Sequence, residues 1–164
     1  MKKLIINRME INYIVIPLIV ALVAVRGVRF TRQGLRPWYA GLKKPNWTPS
    51  GTLIREIWIF IYLLTGFAVL WYWNVPVFGT MHYVVGGILL VNAYMNSEWN
   101  KIFFVQQNIA KAYRYMIMMN ATTVLATIII FTQSRIAALF FLPYIIWVAI
   151  ATKLTKQLWV LNRR

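Results

Sequence analysis

IAALFFLPYIIWVAIATKLTKQL, residues 136–158, carries no charge before Lys153. A bilayer core about 30 Å thick takes roughly 20 largely apolar residues in a helix, so this stretch reads as one membrane crossing. Lys153 and Lys156 near its end have stems long enough to snorkel toward headgroups. Four further apolar runs lie at 11–28, 54–73, 79–97 and 115–134. A transmembrane β-barrel needs period-two alternation, whereas 21–25 and 128–131 are continuously hydrophobic. The fold class is therefore an all-α integral membrane protein, a bundle of five transmembrane helices. No boundary, repeat or low-complexity tail interrupts residues 1–164, so one domain is expected.

Composition agrees. Hydrophobic residues make up 60% of the 164 and charged residues only 13%, about half the share usual in a soluble domain. The charge is one-sided, with 18 Lys plus Arg against Glu10, Glu56 and Glu98. In a soluble chain that balance would suggest nucleic acid. Here the cations cluster at the ends of apolar runs, where lipid phosphates meet them, and no nucleic-acid partner is expected. The absence of cysteine excludes disulfides and thiolate chemistry, and the single His82 argues against a histidine-based metal site. The basic start resembles a signal peptide, but Arg26-Gly27-Val28-Arg29 follows the apolar run in place of a small-residue cleavage site. A retained first helix is the reading.

Five crossings put the N-terminus and the second and fourth loops on one side, with Lys2, Lys3, Arg8 and Arg135. The remaining 14 of the 18 basic residues lie at the other face. The positive-inside rule then places the C-terminus in the cytoplasm and the N-terminus outside, in a bacterial or archaeal plasma membrane. Pro76 is expected to end the second helix. The third run is the least apolar, with Gly86 and Gly87 at its middle and Asn92, Asn96 and Glu98 at its end. Those polar groups should look into the bundle.

Two regions carry functional signal. The connection from Arg32 to Leu53, RQGLRPWYAGLKKPNWTPSGTL, intersperses Trp38, Tyr39 and Trp47 with three prolines. Proline lowers the entropy lost on ordering, and the rings bring apolar faces with a polar handle. It reads as a structured lid over one mouth of the bundle, or as an interfacial plug whose rings only anchor the protein. The second region is Asn92, Tyr94, Asn96, Glu98, Trp99, Phe103 and Phe104. Asn92 and Asn96, four apart, share a helix face, with Trp99 three further on. With the lid they outline a cavity of rings and amides suited to a flat, mostly apolar ligand. The alternative is that the asparagines simply tie helices together.

Longer patterns then stand out. W-Y-x-x-L-x-K-P-x-W-x-P-P appears as Trp38, Tyr39, Leu42, Lys44, Pro45, Trp47 and Pro49, with Ser50 for the last proline. Trp58, Tyr62 and Gly66 match V-W-x-x-L-Y-x-x-M-G, and Asn96, Trp99, Phe103 and Phe104 match L-N-x-x-W-S-x-L-F-F. Pro143, Tyr144, Trp147, Ala151 and Leu154 fit P-Y-x-x-W-x-x-x-A-x-x-L, and Trp159, Leu161 and Asn162 fit a terminal W-x-L-N. In these the chain resembles the TspO/MBR family, the tryptophan-rich sensory proteins that include the mitochondrial translocator protein. The resemblance implies five helices, commonly a homodimer, and a cavity closed by the first loop. It implies porphyrin, heme or another tetrapyrrole as ligand and no obligatory cofactor. The ligand-binding residues would be Trp47, Asn96, Trp99, Trp147, Ala151 and Leu154, with Trp38 and Tyr39 in the covering loop.

The chain departs from the pattern at Ser97, Glu98, Val105, Lys111, Arg114 and Thr155. Lys111 and Arg114 would add positive charge for tetrapyrrole propionates. A formal sterol pattern, Leu35-x₃-Tyr39-x₃-Lys43, is a weak signal. The leading function is a membrane receptor or sensor for tetrapyrroles, followed by a transporter of such ligands. Catalysis has no conventional constellation here. Light-dependent porphyrin oxidation, with Trp47 and Trp147 as protein partners, is the form it would take.

Overall fold

The computed structural model describes residues 2–75 and 79–163, with side chains from Glu10 onward. Five long helices follow one another: α1 (Lys2–Gly34), α2 (Gly51–Trp73), α3 (Thr80–Asn100), α4 (Ile109–Gln133) and α5 (Arg135–Asn162). π-helical turns extend α1 over Leu35–Tyr39 and α3 over Lys101–Val105. The described residues contain no strand.

Side-chain caps fix several helix starts. Ser50, standing where the family pattern has proline, accepts from the Leu53 amide at 3.2 Å and begins α2. Asn108 does the same for α4 through the Lys111 amide at 2.9 Å. Ser134 serves two helices: its amide donates to the Ile130 carbonyl at 2.7 Å, and its hydroxyl accepts from Ala137 at 3.3 Å. A one-residue connection leaves α4 and α5 no arrangement but antiparallel neighbours. Pro76 lies outside the described residues; α2 ends at Trp73, before it.

The stretches Glu10–Tyr39, Gly51–Trp73, Ile109–Gln133 and Arg135–Asn162 are long and apolar enough to cross a membrane. The 21 residues of α3 span roughly 31 Å at 1.5 Å per residue, but polar side chains dilute its hydropathy. His82, Asn92, Asn96 and Ser97 are all buried, so the polarity faces the bundle and not lipid. Large apolar side chains such as Ile14, Leu63, Leu90, Ile128 and Ile146 cover the outside. The protein is an all-α membrane bundle.

The helices form a ring. α1 packs on α2 and α3, α2 on α5, α5 on α4, and α4 on α3. Hydrocarbon gives no hydrophobic drive for helices to associate, so close packing and hydrogen bonds must hold them. One bonded chain crosses the ring. The Tyr62 hydroxyl donates to Asn96 Oδ1 at 2.9 Å, and Asn96 Nδ2 donates to the Tyr144 hydroxyl at 3.2 Å. Tyr144 in turn donates to Asn92 Oδ1 at 2.8 Å. Asn92 Nδ2 reaches the Thr122 and Thr123 hydroxyls at 2.8 and 2.9 Å. Four helices are thereby joined.

α1 is attached separately, at its two ends. Asn12 Nδ2 donates to Asn74 Oδ1 at 3.0 Å on the N-terminal side. On the opposite side Arg26 pairs with Glu98 at 3.1 Å, and the Thr31 hydroxyl lies 3.1 Å from Asn100 Oδ1. Gly34 marks the closest approach, because a Cβ there would overlap the Phe104 carbonyl.

Candidate functional site at the first loop

The first crossing was expected over 11–28 with a loop from 32, but α1 runs on to Gly34 and a helical turn continues it. Arg29, Arg32 and Arg36 end the apolar pattern without ending the helix. The helical trace breaks only at Arg36 (φ −134°, ψ 133°), because the ring of Pro37 disfavours helical geometry in the residue before it. Trp38 and Tyr39 thus sit on the helical turn that follows the break.

Both rings face the π-helical turn that closes α3. In that turn Ile102, Phe103 and Phe104 are all buried. Trp38 meets Phe103 edge-on at 5.1 Å, and Tyr39 lies 5.8 Å from Phe104. Trp99 stacks on Phe103 from below at 5.1 Å and 16°. Ala112, Leu154 and Leu158 complete the cluster, with Leu42 against it.

The rest of the loop is fastened to α5. Asn162 accepts from the Lys43 amide and donates to the Lys43 carbonyl, both at 2.9 Å. The Trp47 indole N–H donates to Gln157 Oε1 at 2.7 Å, with the Lys153 ammonium 5.7 Å from its ring centroid. Lys44 folds back to donate to the Ala40 and Leu42 carbonyls at 3.1 and 3.2 Å and lies over the Tyr39 ring at 4.8 Å. Thr48 turns the chain through the Pro45 carbonyl at 2.6 Å. The segment is an ordered strap.

Of the eight expected site residues, Trp38, Tyr39, Trp99 and Leu154 meet in this cluster. Trp99 also touches the adjoining core, where Trp147 and Ala151 lie. Asn96 belongs to the network across the ring. Trp47 stands apart at the rim, 41% exposed, whereas Trp147 is 8% exposed. Two expectations change. Tyr94 is exposed toward lipid, away from the bundle. Lys111 and Arg114 are exposed on the outside of α4, although Ala112 between them is buried in the cluster. Their charges do not line the site.

Asn162, which the terminal pattern includes, and Gln157, which no pattern marks, hold the strap; near a helix end neither residue type signals such a role. Among the described residues, the buried side-chain polar atoms without a partner include the indole N–H of Trp99 and that of Trp147. A buried donor left unpaired costs about 1–3 kcal/mol, so these N–H groups stand ready for an acceptor. Around them are flat rings and aliphatic side chains. Among the described residues no group of three or more His, Asp or Glu could hold a metal ion.

The model of the TspO/MBR family matches residues 14–160. The chain is 28% identical to the tryptophan-rich protein TspO of Archaeoglobus fulgidus over 145 residues, 88% of this chain and 93% of that protein. It is 30% identical to the tryptophan-rich protein TspO of Bacillus cereus over 127 residues, 77% and 82% of the two chains. With the human translocator protein it shares 29% identity over 135 residues, 81% and 79% of each. A family match running from within α1 nearly to the end of α5 covers both the helix ring and the strapped aromatic cluster, and this chain belongs to the TspO/MBR family.

Proposed function

We propose that this protein is a membrane receptor or sensor that binds porphyrins, heme or related tetrapyrroles beneath its first loop. The observation that carries the reading is the pair of unpaired indole N–H groups, Trp99 and Trp147, buried where the family pattern predicts ligand. Tetrapyrroles supply flat apolar area for the rings and carboxylate or carbonyl acceptors for such donors. The Trp38, Tyr39 and Leu42 side chains now cover Phe103 and Leu154, so a ligand of that size requires the strap to lift. Its fastenings to α5 are three side-chain hydrogen bonds, of a strength that allows this. Function runs in a homodimer, with the strap at the cytoplasmic face of a bacterial or archaeal plasma membrane.

Absorbance titration of the purified protein with protoporphyrin tests the proposal. Saturable binding is expected, weakened about tenfold in Trp147→Phe or Trp99→Phe, the loss of one good hydrogen bond. Equal affinity in wild type and both variants rejects the site. Transport of the same ligands is the second reading, favoured by the name of the human relative, translocator protein. Uptake of labelled porphyrin into proteoliposomes distinguishes transport from binding alone. Photochemistry by Trp47 and Trp147 is tested by illuminating bound porphyrin in Trp47→Phe and Trp147→Phe; unchanged product yields reject a role for those rings.

A further inference from the structure

A cavity of about 250 Å³ lies away from the first loop, between α1, α2 and α3. Its position follows from how α1 is attached. The Asn12–Asn74 bond holds one end, and Arg26, Thr31 and Gly34 hold the other. Between these fastenings α1 stands off from its neighbours. Val15, Ile19 and Val23 form one wall, with Val69, Leu89 and Ala93 opposite.

Polar groups reach the cavity from Tyr62, Asn92, Asn96 and Tyr144, but their hydrogen bonds are made to one another and to α4. The Thr65 hydroxyl has no partner, yet its oxygen is covered by protein atoms. Water needs two to four polar partners to occupy such a space. An apolar cavity of 150 Å³ stays dry and takes up benzene, and this one is larger. Val15 and Leu90, which help line it, are exposed on the outer surface of the bundle. At that depth the surrounding medium is lipid hydrocarbon.

We propose that this cavity is an acyl-chain site, in which part of a lipid tail enters between α1 and α3 and supports the middle of α1 against the ring. The cavity reaches Asn96, which the family pattern counts among the tetrapyrrole residues, but it lies away from the strap and its occupancy by a lipid tail does not depend on tetrapyrrole binding.

The test uses the full-length protein in nanodiscs containing a phosphatidylcholine with a diazirine midway along one acyl chain. After photolysis, labelled residues are located by peptide mass spectrometry. Labelling is expected on Ile16, Ile19, Val23, Leu89 and Ala93, which line the cavity, in excess of that on Leu125 and Ile128, which face lipid from α4. Ala93→Phe and Val20→Phe fill the space from opposite walls. Each should reduce the labelling of the cavity walls several-fold and leave α4 unchanged, with wild-type helicity by circular dichroism as the folding control. Equal labelling of cavity walls and α4 would overturn the proposal, as would wall labelling that persists in both variants. Loss of wall labelling on adding protoporphyrin would also overturn it, assigning the space to the tetrapyrrole instead.

Discussion

Asn162 and Gly34 do the most specific single-residue work at the strap. Asn162 uses both halves of its amide on one peptide unit, accepting from the Lys43 amide and donating to its carbonyl. Asn162→Ala should leave the ring intact while loosening residues 42–48. Hydrogen–deuterium exchange in that segment would rise, with exchange in α4 and the core of α5 unchanged; equal protection would show that the Trp38 and Tyr39 packing alone holds the strap. Gly34 acts through what it lacks. The Phe104 carbonyl occupies the space of a Cβ, so Gly34→Ala should destabilise the fold by roughly 1–3 kcal/mol, the usual cost of overpacking. Thermal unfolding in detergent checks this, and an unchanged midpoint would mean that α1 can stand off from α3 freely. The sequence marked Trp38, Tyr39 and Asn162 through a pattern, but it could not say what they touch. Which group an amide 119 residues away meets is a tertiary fact.

At the scale of elements, the polarity of α3 decides the architecture. Asn92 and Asn96 share one face, as their spacing requires, and that face is met by Tyr62, Tyr144 and the α4 threonines. Tyr144 both donates and accepts, so Tyr144→Phe removes two bonds and strands two buried amide groups. Tyr62→Phe removes one. The first should lower unfolding stability by about 1–2 kcal/mol and the second by less, in line with polar contacts between membrane helices. The reverse order would show that the network is not what joins α2 to α5. Helix existence was legible from the apolar runs, and the inward face of α3 from its asparagines. Two features were not. α1 continues well past its last apolar residues because arginines are good helix formers at the headgroup level. The π-helical turn at Lys101–Val105 buries Ile102, Phe103 and Phe104 together, and no local pattern announces it.

For the whole molecule, the ring order α1, α2, α5, α4, α3 brings the strap, the aromatic cluster and the end of α5 to one face. The sequence foresaw a lid there, and the strap covers an aromatic cluster at that face. A further open space lies farther along α1, between its few fastenings. The proposed orientation puts the strap in the cytoplasm. A green fluorescent protein fused to the C-terminus should therefore fluoresce in bacterial cells, and an alkaline phosphatase fusion there should be inactive. The opposite pair of results would invert the orientation.

On the proposed function, a tetrapyrrole reaches its site only when the strap lifts. The chain has no cysteine, so cysteines introduced by Lys43→Cys and Asn162→Cys can be joined selectively by a short thiol-reactive linker. Stopped-flow absorbance then gives the rate of protoporphyrin association with the linked and unlinked forms of the same double variant. Linking is expected to slow association several-fold or abolish it. Equal rates in the two forms would contradict it.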